Sequence, residues 1–234
     1  MKINDSLRFW ILVSIVGISG FSQGMLMPLI AIIFEGDGVS SSLNGLHATG
    51  LYIGILIASP LMEKPLRRFG YKPLILAGAG TVAIAMALFP VWKSFWFWFL
   101  LRLLDWMGDH MHHLATQSWI TDLSPQHKRG KNIAIYGLFF SLGFAVGPLL
   151  ARIVQVNETY PFAISSAITV IAWLAVLLIR NARPDEEMET NQKGTFVRFL
   201  AVLKYAWVAM LPPLGYGFLE ASLNGNFPVF ALRN

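Results

Sequence analysis

The chain has no cysteine among its 234 residues, which excludes a disulfide framework and any thiolate metal site. Charge is scarce too. Asp, Glu, Lys and Arg make up 13% of residues against 55% hydrophobic, where a soluble domain carries about 25% charged. Together with a mean hydropathy of +0.56, this composition excludes an ordinary soluble globular protein. The scarcity is also uneven. Residues 9–34, 38–62, 73–92, 132–151 and 159–179 contain no Asp, Glu, Lys or Arg, and about 20 mostly apolar residues suffice to cross the hydrocarbon core of a bilayer.

A sixth apolar stretch, residues 95–120 and fourth in chain order, is interrupted by charge. A seventh begins near Phe199 and continues past Glu220 towards Leu232. Pro28, Pro60, Gly143, Pro148, Pro212 and Pro213 fall inside these stretches. Membrane helices tolerate them because neighbouring helices and waters satisfy the freed backbone groups. The first stretch is far longer than the roughly 7–15 apolar residues of a secretory signal, so it is expected to be a retained helix.

The pI of about 9.6 does not indicate nucleic acid, because the bases sit in short segments between apolar runs. With a cytoplasmic N-terminus, 14 of the 18 Lys and Arg fall on the inside, among them Arg8, Lys64, Arg67, Arg68, Lys72, Lys128, Arg129 and Lys131. Lys93, Arg152 and Arg233 fall outside, and Arg102 lies within a span. The positive-inside rule therefore predicts a multi-pass protein of the cell membrane with its N-terminus in the cytoplasm.

The fourth stretch carries Arg102, Asp105, Asp109, His112 and His113. At about 100° per residue, all five fall within an arc of about 100°, with Thr116 on the same stripe. Each such charge costs on the order of 3 kcal/mol at the bilayer centre, so this face requires polar partners or water inside a bundle. One structural alternative pairs Arg102 with Asp105 and lets the histidines hydrogen-bond across helices. Asp109 with His112 or His113 also has the i+3 or i+4 spacing that sets two metal ligands on one helical face. No second ligand cluster accompanies them, His47 stands alone in the second stretch, and His110 points off the stripe. No metal and no cofactor are therefore assigned.

The loops carry a family resemblance. Residues 63–72 read Glu-Lys-Pro-Leu-Arg-Arg-Phe-Gly-Tyr-Lys. This resembles the loop signature of the major facilitator superfamily, Gly-x-Leu-x-Asp-Arg-x-Gly-Arg-Lys, which also follows the second helix. Arg68, Gly70 and Lys72 match, while Glu63, Pro65, Arg67 and Tyr71 depart from it. In the family the Asp of this gating loop locks one conformation; here Arg67 stands in its place, and Glu63 is the acid able to substitute. Ser124-Pro125 with Arg129-Gly130-Lys131 looks like the loop between the fourth and fifth helices. Gly143, Gly147 and Pro148 are similar to the core of the signature of proton-coupled antiporters, although its closing Gly-Gly is Ala151-Arg152 here. Small residues four apart also simply permit close helix packing. Arg102 and Gly108 resemble the family's fourth-helix Arg-x-x-x-Gly-x-Gly pattern, with Trp106 where a small residue is usual.

The resemblance implies an all-α membrane protein: the six-helix N-terminal half of a major facilitator fold (residues 1–180), a central cytoplasmic loop (181–198) and a seventh transmembrane helix (199–234). It implies alternating access for a small-molecule substrate, driven by protons. Gln23, Arg102, Asp105, Asp109, His112, His113 and Glu220 would meet at the cavity between halves. An Arg cannot release its proton but tunes a nearby carboxylate, which makes Asp105 and Asp109 the candidates for proton coupling. Transporters of this superfamily have two six-helix halves, so the chain is expected to be a fragment, inactive without a C-terminal half. The alternatives are a dimerising half-transporter and a membrane-embedded metal-dependent enzyme built on Asp105, Asp109 and the histidines.

Overall fold

A computed structural model describes residues 5–184, together with the isolated positions 208, 211 and 215. Residues 5–184 belong to one compact unit. Apart from those three positions, the expected seventh helix, including Glu220, and most of the central loop lie outside the described residues.

Every regular element among the described residues is helical. The order is α1 (Asp5–Gly36), α2 (Ser41–Ala48), α3 (Gly50–Phe69), α4 (Tyr71–Leu88), α5 (Phe95–Leu123), α6 (Arg129–Ala151) and α7 (Thr159–Leu177). Short 3-10 turns follow α4 at Phe89–Val91 and α6 at Arg152–Gln155. The 32 residues of α1 span about 48 Å at 1.5 Å per residue, well beyond the roughly 30 Å hydrocarbon core. Five spans among the described residues, one of them α2 and α3 together, are long and apolar enough to cross a membrane by length and composition. The helix α5 is long enough at 29 residues but carries the charges of the fourth stretch.

Local chemistry sets the breaks. Gly38, at φ 73°, lets the chain turn out of α1, and Ser40 Oγ then accepts from the Leu43 N–H to open α2. The second span is broken at Thr49, whose N–H and hydroxyl both donate to Leu46 O, at 3.0 and 2.6 Å. That i→i−3 pairing tightens the turn and separates α2 from α3.

α1 packs along α6 and also against α7, α4 lies between α5 and α7, and α3 leans on α5. Two apolar clusters fill the bundle. One joins Leu12, Val13 and Val16 of α1 to Tyr71, Ile75, Trp119, Ile120 and Val176. The other joins Met25, Leu26, Leu29 and Ile30 of α1 to Met86, Phe89, Trp98 and Phe162. Between them, on α1 and α5 alike, runs a layer of buried polar side chains: Ser19, Ser22, Gln23, Asp105, Asp109, His112 and Thr116. Large apolar side chains also face outward, as Leu138, Leu142, Val146 and Leu149 do along α6. On a membrane-spanning helix such a face meets lipid at no cost.

Candidate functional site: a polar layer on the fourth span

Asp109 is the hub of this layer. Ser19 Oγ donates to its Oδ1 at 2.5 Å and Gln23 Nε2 to its Oδ2 at 2.5 Å. His112 Nε2 lies 3.1 Å from Oδ1, and His113 Nε2 lies 3.8 Å from Oδ2. An ionised carboxylate only accepts, so the Ser19 proton is committed to Asp109. Ser19 Oγ in turn accepts from Gln23 Nε2 at 3.1 Å and from His113 Nε2 at 2.9 Å. That leaves His113 Nδ1 to accept from the Tyr136 hydroxyl at 2.5 Å. The rings of His112 and His113 stack at 4.9 Å.

Arg102 and Asp105 make a second, sparser group. The Arg102 guanidinium donates to His47 Nδ1 at 3.1 Å. Because a guanidinium has no acceptor, His47 carries its ring proton on Nε2. His47 is fully buried, with Phe34, Phe95 and Phe99 packed edge-on around it at 4.8, 5.3 and 5.7 Å. Among the described residues, Arg102 forms no ion pair with Asp105. Arg102 Nε and Asp105 Oδ1, a turn apart on α5, are both buried and make no hydrogen bond. Arg102 thus pairs with His47 rather than with Asp105 as the structural alternative had it, and His47, read as standing alone, has a partner.

A cavity of about 330 Å³ opens beside this layer, lined among others by Gln23, Trp106, Asp109, His113, Tyr136 and Phe140. Of the expected site residues, Gln23, Asp109 and His113 reach it and His112 supports it from behind. Arg102 and Asp105 stand further along α5. His110 also lines the cavity and meets Ser59 Oγ at 3.0 Å. Ser19 and Tyr136 were not singled out by the sequence. Ser19 does precede Gln23 by four residues, a spacing that puts two polar groups on one face of an otherwise apolar helix.

The profile of the Major Facilitator Superfamily matches residues 12–233. The chain belongs to the major facilitator superfamily. It is 52% identical over 227 residues to an uncharacterized MFS-type transporter, YfkF, of Bacillus subtilis (strain 168), covering 97% of this chain and 58% of that protein. It is 24% identical over 192 residues to the quinolone resistance protein NorA of Staphylococcus aureus (strain Mu50), covering 82% of this chain and 49% of that protein. The chain thus spans about half the length of these curated relatives. The family is one of membrane transporters.

The facilitator's loop residues have partners of their own. Gly70 sits at φ 88°, and a Cβ there would lie 2.4 Å from Ala182 O. The close approach serves four hydrogen bonds. Tyr71 N–H donates to Ala182 O and Lys72 N–H to Asn181 Oδ1, Lys72 Nζ reaches Leu177 O at 2.8 Å, and Asn181 Nδ2 donates to Phe69 O. The Tyr71 hydroxyl donates to Asp122, and its ring stacks on Trp119. Arg67 pairs with Glu63 at 3.2 Å within α3, and Arg68 lies over the Phe69 ring.

Gly143 and Gly147 are packing positions. A Cβ on Gly143 would lie 2.0 Å from Gly17 O, and one on Gly147 2.4 Å from Phe21 O. The backbones of α1 and α6 thus touch directly, just before Pro148. Lys93 Nζ ties three loops together, at 2.9 Å from Asp37 and 2.9 Å from Glu158. Burial opposes its charge, but the hydrogen bonds and negative charges of Asp37 and Glu158 outweigh that, and the Lys93 pKa is raised.

Proposed function

We propose that the chain forms the N-terminal half of a proton-coupled exporter of small amphipathic molecules, working by alternating access in the cell membrane with its N-terminus in the cytoplasm. It acts with a C-terminal half and is inactive alone. Asp105 is the proton carrier, and Asp109 with Gln23 and His113 forms the wall that meets substrate, supported by His112 from behind. Family membership and the relative named for quinolone resistance support export. The residues of the polar layer divide the two roles.

The observation that carries this assignment is the contrast between the two carboxylates. Asp109 is surrounded by donors from Ser19, Gln23 and His112, which hold a charge in place. Asp105 has a buried oxygen with no partner, while the nearest guanidinium is engaged by neutral His47. A buried, unpaired carboxylate charge costs several kcal/mol, so this arrangement fits a protonated Asp105. On losing the proton, Asp105 becomes the better partner for Arg102, whose unused Nε is one turn away. Arg102 then leaves His47 and its short helix α2. Proton loss and a change at the α2–α3 break become linked, and a ligand that favours one state is coupled to the proton by the same free energy.

The test is transport in everted vesicles, with the chain co-expressed with the remaining C-terminal portion of the Bacillus subtilis relative and a fluorescent quinolone as substrate. Asp105→Asn is expected to abolish uphill flux driven by a pH gradient while leaving substrate exchange intact. Arg102→Lys is expected to impair flux because Lys keeps the charge but loses the planar fork. Unchanged uphill flux in Asp105→Asn, or robust saturable transport by the 234-residue chain alone in liposomes, would overturn the proposal.

A further inference from the structure

We infer that Asp109, His112 and His113 form a binding site for one divalent transition-metal ion of the zinc class, with its fourth coordination position open to the cavity. The inference does not require the transport assignment. It goes beyond what spacing alone offered, because the fold now supplies convergence, support and access.

The three ligand atoms, one carboxylate oxygen and two ring nitrogens, lie within 4.8 Å of one another. Asp109 Oδ1 to His112 Nε2 is 3.1 Å and Asp109 Oδ2 to His113 Nε2 is 3.8 Å. Tetrahedral coordination at metal–ligand distances of about 2.0–2.1 Å places ligand atoms roughly 3.3–3.5 Å apart. The two pairs run to different carboxylate oxygens and fall on either side of that separation, so a turn of the carboxylate and of the rings brings one oxygen and both nitrogens onto a single ion.

The groups behind the ligands fit as well. A metal-binding imidazole is held by a hydrogen bond on its other nitrogen, and His113 Nδ1 has the Tyr136 hydroxyl at 2.5 Å. When an ion replaces the proton on His113 Nε2, that proton moves to Nδ1 and Tyr136 turns from donor to acceptor. Gln23 Nε2 steadies the Asp109 carboxylate from α1. Asp109 and His113 both line the cavity of about 330 Å³, which provides an entry path. Two neutral imidazoles and one carboxylate suit zinc, cobalt or nickel. Calcium and magnesium are not expected, since they demand about six oxygen ligands.

The experiment is a cobalt(II) titration of the purified chain in lipid nanodiscs, with a histidine-free affinity tag, followed by absorption spectroscopy and by competition with zinc(II). One ion per chain with a tetrahedral d–d spectrum is expected. Asp109→Asn, His112→Gln and His113→Gln should each weaken binding by about 100-fold. Tyr136→Phe, which leaves all three ligands in place, should weaken it about tenfold, within the range for such supporting groups. His110→Gln, which removes a cavity-lining imidazole that is not one of the three ligands, should leave the stoichiometry and the tetrahedral spectrum unchanged. Metal-free thermal unfolding checks that each variant folds, and if Asp109→Asn does not, the histidine variants decide. Absence of stoichiometric binding, an octahedral spectrum, or binding that survives the histidine substitutions would overturn the inference.

Discussion

Gly143→Ala is the sharpest test of how the polar layer is assembled. A methyl group there would sit 2.0 Å from Gly17 O, 2.9 Å from Phe21 N and 3.0 Å from Gly17 C. All three are backbone atoms of α1, so no side chain can swing aside. Ordinary contact begins at 3.4 Å, and the two helices must part by about 1.4 Å along that line. The separation spreads, because Gly20 and Gly24 make the same close approach to Phe140 O and Phe144 O, both at 2.2 Å. Between helices in lipid, van der Waals contact and small-residue packing hold the interface, and forcing in an extra methyl group typically costs about 1–3 kcal/mol. A contact with rigid backbone belongs at the top of that range. Replacing a helical Gly by Ala returns about 1 kcal/mol of propensity, which leaves a net loss of about 2 kcal/mol. For a chain of this size that lowers the thermal midpoint by about 4–8 °C. The assay is tryptophan-monitored thermal unfolding in a mild detergent, with Gly137→Ala as the control. Gly137 lies on the same helix, and a methyl group added there would have nothing within 4 Å, so that variant should be neutral or slightly more stable. Equal midpoints for the two variants would refute the idea that α1 and α6 touch backbone to backbone.

Two further outcomes are expected. Because the chain has no cysteine of its own, single cysteines report topology cleanly: Ser41→Cys and Asn157→Cys should react with an impermeant maleimide in intact cells. Gln126→Cys should react only after permeabilisation, and labelling of Gln126→Cys in intact cells would reverse the orientation. Gly70→Ala combines a left-handed backbone angle with a clash against Ala182 O, so it should destabilise by about 1–3 kcal/mol and speed backbone amide exchange at Tyr71 and Lys72. Exchange as slow as in the parent chain would remove the docking of this turn from the account.

Much of this architecture was legible because bilayer physics leaves few options. Runs without charge had to be helices, since no other local structure satisfies its backbone in hydrocarbon. The stripe on α5 was legible for the same reason: Arg102, Asp105 and Asp109 are too costly to face lipid. What the sequence withheld was the partners. Nothing about His47 announces that it accepts from Arg102, because the two are 55 residues apart and the pairing depends on how α2 meets α5. Tyr136 was hidden among many apolar and aromatic neighbours on α6. Ser19 was hidden by being an ordinary membrane-helix residue. Asn181 and Ala182 lay in a stretch expected to be the start of a loop, and only the approach of Gly70 shows that they dock. Gly143 and Gly147 were visible as a motif, but which backbone they touch was not.

The docking of the α3–α4 turn on the end of α7 has a mechanical consequence. Four hydrogen bonds, made by Tyr71, Lys72 and Asn181 to groups at residues 69, 177, 181 and 182, bridge the two. Tension arriving along the chain at Ala182 is therefore delivered to two places at once, the last turn of α7 and the start of α4. Load is shared between helices more than a hundred residues apart in sequence, and neither can unwind from that end without the other. The turn works as a strain relief, of the kind that keeps a cable from working loose where it enters its housing.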